Sequence, residues 1–335
     1  MATLGDWGER RLTRELIPKY VTGGGSDCGE IGTGAGTILV TTDPVPRPAA
    51  EVIGGDPDLY WWGRLLVTIN ASDLAAGGAE PLAFVAAIEA PSDLSVDALE
   101  RFLEGIRDAA DTEGLLFVGG NLREARAVAA VGTAVGIVRG TPIRRMGAAN
   151  GDVLVIVGRG GEFWRDALRL RAHESVSKSD SPVFQPKSQS QAMAKLRQHG
   201  IVTAAIDCSD GLLPALEELS TASNVRIVLN LETLTAPEGW NQAVDPARGW
   251  LGWGDWLVVA TVPTGRVLEA AEVCREVGAT MTVAGSLLKG RGVGVARGSK
   301  EVDAPRLESE RFARDSWLSQ GIESYVESLL QVPLP

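Results

Sequence analysis

Apolar residues recur at helical spacing over 59–76, where Trp62, Leu65, Leu66 and Ile69 define one face. Gly77 and Gly78 end that helix, and Pro81 opens an apolar run, 82–88, that predicts a strand. Residues 37–42 alternate into a strand that ends at Asp43, and 95–110 predict a helix burying Leu99, Phe102, Leu103 and Ile106. Strands follow at 115–118, delivering Gly119, Gly120 and Asn121, and at 127–138, with Gly132 and Gly136 allowing close packing. Before them, 8–20 predict a short amphipathic helix with Leu12, Leu16 and Ile17 inward. Strands separated by helices define an α/β unit over 1–141, and a second begins with the strand 153–157 and takes in 142–335. In the second unit 202–206 is a buried strand presenting Asp207, Ser209 and Asp210, and 211–222 is a helix with Asp210 at its N-cap. The Ser-, Gln- and Pro-rich stretch 174–191 reads as a loop.

Composition narrows the function classes. At 335 residues and 44% hydrophobic content the chain is long enough for two separate cores. A net charge of −11 argues against a nucleic-acid partner, which needs clustered Lys and Arg. No apolar run approaches the ~18 residues of a membrane span and the start lacks a signal pattern, so the expected location is the cytoplasm. Cys28, Cys208 and Cys274 are too scattered for a disulfide framework or a zinc site. With only His173 and His199 present, both in polar surroundings, any catalysis has to rest on carboxylates, amides and metal.

Asn70 and Asp73 lie three residues apart among small alanines, so they share a helix face with room for an approaching group; a solvated last turn reads equally well from the residues alone. Three tryptophans within seven residues, Trp250, Trp253 and Trp256, offer aromatic faces for a planar or apolar group, or simply core. No Gly-x-x-x-x-Gly-Lys-[Ser/Thr] loop is present, so a nucleotide site would not be of the P-loop type.

Four stretches carry a family resemblance: Gly-Gly-Gly-Ser-Asp-Cys at 23–28, Val-Thr-Thr-Asp at 40–43, Asn-x-Ser-Asp-Leu-Ala-Ala-x-Gly-Ala-x-Pro at 70–81, and Ala-Ile-Asp-Cys-Ser-Asp-Gly-Leu at 205–212. In this order they resemble the thiamine-monophosphate kinase family, within a superfamily that includes aminoimidazole ribonucleotide synthetase, selenophosphate synthetase and a hydrogenase-maturation dehydratase. The resemblance implies a two-domain α/β (α+β) fold whose N-terminal sheet pairs with a second copy into a barrel, hence a homodimer. It implies ATP as co-substrate and Mg²⁺ held by Asp27, Asp43, Asp73 and Asp210, of which Asp73 and Asp210 are catalytic. Thr42, Asn70, Gly119, Gly120, Asn121 and Arg145 are implied at the nucleotide, Arg144 and Arg145 lying at the domain junction. Trp253, Asp255 and Trp317 are implied at the acceptor. The chain departs from the family at Ser26, Asn121 and Gly254, where acidic residues are usual, and Trp253 and Trp256 replace a glycine and a tyrosine. The implied activity is phosphoryl transfer from ATP to a small-molecule acceptor. Two alternatives stay open: activation of an amide oxygen leading to cyclisation or dehydration, and a non-catalytic nucleotide-binding relative.

Overall fold

The computed structural model describes residues 3–21, 26–307 and 321–335. A first sheet contains β1 (Gly29–Thr33), β2 (Gly36–Pro44), β3 (Glu80–Ala90), β4 (Leu116–Glu124) and β5 (Ala129–Val138), in the order β1-β2-β5-β3-β4. Its pairs are antiparallel except β3 with β4, whose parallel pairing needs a crossover. Ahead of that crossover come three short helices, α1 (Leu4–Trp7), α2 (Glu9–Arg11) and α3 (Ala49–Val52), and the long α4 (Leu59–Ala76); α5 (Val96–Glu113) is the crossover itself.

Helices α4 and α5 cover one face of this sheet, and glycines let them approach. A Cβ on Gly63 would lie 2.2 Å from the Phe102 carbonyl oxygen, and one on Gly105 would lie 2.0 Å from that of Tyr60. Among the described residues, no helix covers the other face. Val85 and Val131 are exposed there, and Leu116, Val118 and Leu122 are exposed along the edge strand β4.

The second sheet runs β12-β11-β8-β10-β6-β9-β7. Its strands are β6 (Asp152–Val157), β7 (Ala204–Asp207), β8 (Val225–Asn230), β9 (Val258–Pro263), β10 (Met281–Lys289), β11 (Gly292–Arg297) and β12 (Lys300–Asp303). Its helices are α6 (Glu162–Arg171), α7 (Ser190–Gln198), α8 (Leu212–Ser223), α9 (Pro246–Leu251) and α10 (Val267–Glu276), followed by a C-terminal helix, Ile322–Gln331. Leu154 and Ile156 of β6 pack into the core formed with α6 and α8, whereas Val155 and Val157 pack into the core with α7 and α10. Burial on both faces explains why β6 reads as an unbroken apolar run rather than an alternating one.

Helix α4 is the hinge of the architecture: 12 of its 18 residues are buried, because it is pressed between the first sheet, α5, α7 and the end of β7. A helix buried nearly all round has a wider apolar surface than the single face its spacing predicts. No helix among the described residues is long and apolar enough to cross a membrane.

Several local expectations change. The amphipathic helix at 8–20 is broken into α2, a π turn (Leu12–Leu16) and a 3-10 turn (Ile17–Lys19) where Pro18 intervenes. Leu12 is buried, but Ile17 is 46% exposed. Leu103 also faces outward, and α5 instead buries Phe102, Ile106, Ala109 and Ala110. The stretch 174–191 is irregular up to α7, yet Val183 and Phe184 are fully part of the core, so composition there marked the backbone and not the burial. Asp210 does not cap α8: the cap position is Gly211, at φ 104°, a conformation side chains disfavour.

Candidate active site

A cavity of about 1160 Å³ opens between the two sheets. Five aspartates line it: Asp27, Asp43, Asp73, Asp207 and Asp210. Asp27 precedes β1, Asp43 stands near the end of β2, Asp73 lies in the last turn of α4, and Asp207 is the final residue of β7. One carboxylate oxygen from each of Asp27, Asp73 and Asp207 lies within 4.8 Å of the other two, close enough to share a cation.

Each of the three carboxylates has its own donor. The Thr41 hydroxyl donates to Asp73, and lies 3.5 Å from Asp43. The Ser72 hydroxyl donates to Asp207 at 2.8 Å. The Arg145 guanidinium donates to Asp27, its Nε at 3.2 Å. Thr41 and Ser72 are neighbours in sequence of the residues implied by the motifs, but strand and helix geometry decide which of each pair faces the acids. On β2 the side chains alternate, so Thr41 and Asp43 share the inward face and Thr42 points out. Thr42 accordingly bonds to the Gly132 carbonyl at 2.9 Å and to Thr133 on the neighbouring strand, away from the cavity.

Crowding raises the proton affinity of this cluster. Withdrawal from water pushes the Asp73 carboxyl well above the ordinary carboxylate range, and Asp207, Asp43 and Asp27 add repulsion that the Thr41 bond partly offsets. Asp207 is pushed up to about 7, first by burial and then by Asp27, against the Ser72 bond. Both folded-state values exceed the unfolded carboxylate value, so the folded chain binds more protons than the unfolded chain between about pH 4 and pH 7. Its stability therefore falls as pH rises through that window. In denaturant titrations with a chelator, we expect a loss on the order of 2–4 kcal/mol between pH 5 and pH 7.5. Asp207→Asn should lose distinctly less; an identical pH slope in the variant would show that Asp207 does not carry the effect.

The rest of the wall mixes the polar groups of Glu30, Arg47, Arg144, Arg145 and Ser209 with apolar and aromatic ones, including Trp61, Phe163, Phe184, Trp253 and Trp256. Trp253 is fixed from behind by Phe163, Trp164 and Tyr325, with ring centroids 5.2, 5.4 and 5.8 Å away. Trp256 sits at φ 50°, a backbone conformation costly for a large side chain, and it lines the cavity. Trp250 is core.

Other residues implied at the site lie elsewhere. Asp255 accepts from the backbone N–H of Gly161 at 2.6 Å and of Phe163 at 2.7 Å, so it anchors the start of α6 and turns away from the large cavity. Asn70 is wholly buried against Gly132, with Nδ2 donating to the Leu66 carbonyl at 2.9 Å. Gly119, Gly120 and Asn121 lie within β4, outside the cavity lining of the single chain. A Cβ on Gly120 would meet the Ala86 carbonyl oxygen at 1.8 Å, so that glycine serves the irregular β3–β4 pairing. Trp317 and Gly23 to Gly25 lie outside the described residues. Thr41 and Ser72 were not singled out from the sequence, and Asp207 was read only as presented by its strand, not as a metal ligand; an aspartate closing a buried apolar strand and the period-2 alternation of β2 were the available signals.

Two sheets joined around an acid-lined cavity define the class of protein. Residues 25–138 match the family model "AIR synthase related protein, N-terminal domain", and residues 149–297 match "AIR synthase related protein, C-terminal domain". The chain belongs to this AIR synthase related family. It is 30% identical over 315 residues to the thiamine-monophosphate kinase of Halobacterium salinarum, covering 92% of this chain and 99% of that one. The corresponding enzyme of Pyrococcus abyssi is 29% identical over 292 residues, covering 86% and 90%. Among solved structures, AaThiL complexed with AMPPCP and TMP has the same fold, with a TM-score of 0.74 at 23% identity, covering 90% of this chain and 97% of that one. Within the family, the chain is a thiamine-monophosphate kinase-like, ATP-dependent kinase.

Proposed function

We propose that this cavity transfers the γ-phosphoryl group of ATP, with Mg²⁺, to a small phosphomonoester of the thiamine monophosphate type. The observation that carries the reading is the gathering of Asp27, Asp73 and Asp207 within 4.8 Å, in a cavity that also presents Arg144, Arg145 and several aromatic rings. The donor set fits the metal: oxygen ligands alone suit a hard cation, and carboxylates packed this closely need positive charge to stay ionised together. Asp27, Asp73 and Asp207 would hold the ion, with Asp43 and Asp210 in reach of the same cavity. When bound, Mg²⁺ neutralises phosphate charge and aligns the transferred group for in-line attack.

The protein's own contribution is position. Thr41 and Ser72 fix the orientation of Asp73 and Asp207, so little reorganisation is left for the moment of reaction. Trp253 and Trp256 offer flat faces to a heteroaromatic acceptor, and the apolar walls exclude water that would otherwise compete as acceptor. In this reading the first 141 residues supply Asp27, Asp43 and Asp73 and the nucleotide site, while 142–335 supply Asp207 and Asp210 to the metal and complete the acceptor pocket with Trp253 and Trp256.

We also propose that the uncovered face of the first sheet pairs with a second copy to make a homodimer. That arrangement supplies a reason why Gly119 to Asn121, implied at the nucleotide, lie outside the cavity of one chain: β4 is the free edge such pairing would cover.

Incubation with ATP, Mg²⁺ and thiamine monophosphate tests the reaction. ADP should appear only with acceptor, together with a product heavier by one phosphoryl group. Loss of water or ring closure in the product would move the chemistry to the synthetase class, and no ADP with any acceptor would overturn the catalytic reading.

Asn121 tests the metal environment further. Fewer carboxylates mean weaker binding of a hard divalent ion, so Asn121→Asp should tighten the Mg²⁺ dependence of nucleotide binding several-fold if that side chain faces the assembled site. Unchanged or weaker dependence places Asn121 outside the metal shell.

A further inference from the structure

Of the three clustered carboxylates, Asp73 is held by a helix and Asp207 by a strand, but Asp27 belongs to neither kind of element. Its side chain is nonetheless only 5% exposed. What fixes it comes from the stretch between the two sheets. There Arg144 and Arg145 each grip an acid near the start of β1, across more than 100 residues of sequence. Arg144 takes both oxygens of Glu30, at 2.7 and 2.6 Å. Arg145 treats Asp27 differently: its Nε, at 3.2 Å, and its Nη2, at 2.5 Å, both donate to Oδ1, so Oδ2 is not used by the arginine.

The backbone carrying these arginines is tied to the rest of the site. The Arg144 carbonyl accepts from the Ala205 N–H at 3.0 Å, on the strand that ends in Asp207. The Arg145 carbonyl accepts from the Ser223 hydroxyl at 2.8 Å, at the end of α8. The trio is already gathered while Arg145 holds Asp27, so its grip and the clustering are compatible.

We propose that Arg145 is a positioning residue for the metal centre: it holds Asp27 through Oδ1 and registers it against Asp207, leaving Oδ2 toward the cation. This rests on the reading that the trio binds a divalent ion, and it differs from the phosphate contact that the family resemblance implies for the same arginine. Arginine suits the task, because two N–H groups on one rigid plane converge on Oδ1 and fix where that oxygen sits, where a lysine offers only a mobile point charge.

The sign of one measurement separates this role from a purely electrostatic one. A guanidinium repels a neighbouring cation, so by charge alone its removal would tighten metal binding. As a positioning residue its removal weakens binding, and partners that orient metal ligands typically contribute about 10- to 100-fold in affinity. The test is Mn²⁺ binding to the full chain without nucleotide, followed by electron paramagnetic resonance, in wild type, Arg145→Met and Arg145→Lys. We expect affinity to fall at least about tenfold in Arg145→Met and less in Arg145→Lys. In an Asp27→Asn background, Arg145→Met should cost little more, since both act through one carboxylate. Unchanged or tighter binding in both arginine variants, or an undiminished loss in the Asp27→Asn background, overturns the proposal. If wild type binds Mn²⁺ no better than Asp73→Asn does, the metal reading itself fails, and the assignment of Arg145 falls with it. Should Arg145→Met not fold, Arg145→Lys and its cycle with Asp27→Asn decide the matter alone.

Discussion

Asp73→Asn is expected to abolish ATP turnover while leaving the fold intact. The exchange keeps shape and volume, and the Thr41 hydroxyl can still donate to the amide oxygen, so the last turn of α4 should not move. What disappears is a negative charge at the point where Asp207, Asp43 and Asp27 converge. Removing that mutual repulsion should raise stability slightly in the absence of metal, since a crowded carboxylate opposes folding when ionised. Activity and stability therefore move in opposite directions, a signature that mere damage to the fold does not produce. A turnover loss greater than 100-fold, about 2.7 kcal/mol of transition-state stabilisation, is expected in steady-state assays with a melting temperature at or above wild type. Retention of more than roughly a tenth of wild-type turnover, a loss of only about 1.4 kcal/mol, would remove Asp73 from the primary metal ligands.

If the uncovered sheet face pairs two copies as proposed, charges placed on it should split the dimer. Val131 and Val85 are 42% and 37% exposed on that face, pointing away from Ala86 and Ile88, which pack under the helices. A single chain tolerates glutamate at both positions because water reaches them. In a paired assembly the same carboxylates would be buried without partners, which is strongly unfavourable. Val85→Glu combined with Val131→Glu is therefore expected to shift light scattering at micromolar concentration from dimer to monomer, a weakening of at least about 100-fold or 2.7 kcal/mol. Circular dichroism should stay unchanged. A wild-type chain that is monomeric in the same measurement would refute the pairing outright.

The two variants probe the parts of the molecule that the sequence reveals unequally. Helix α4 was legible to the residue, 59–76, because Gly77 and Gly78 stop it and apolar residues recur inside it. The strands β2, β3, β5 and β6 were legible for the same kind of reason, while Asp27, Asp43, Asp73 and Asp210, all of which line the cavity, were indicated by the family resemblance. Local pattern suffices where a feature depends on neighbours in the chain.

Convergence is not local. That Asp207 joins Asp27 and Asp73, with Asp43 and Asp210 elsewhere in the same wall, depends on how β7 docks beside α4. No spacing between residues so far apart encodes a distance. Asp255 shows the converse: its motif position implied a substrate contact, but its carboxylate is taken by two N–H groups at the start of α6, an arrangement created only when 161–163 and 255 meet. Thr42 could have been placed from the sequence, since alternation along β2 sets it opposite Asp43. The strand predicted at 115–118 stops where glycines usually punctuate, whereas pairing with β3 extends it through Gly119 to Asn121. The sequence by itself determined the elements, the acidic residue types and the family. The tertiary structure alone decided which acids meet and which hydroxyl or guanidinium orients each, because those contacts join segments that only packing brings together.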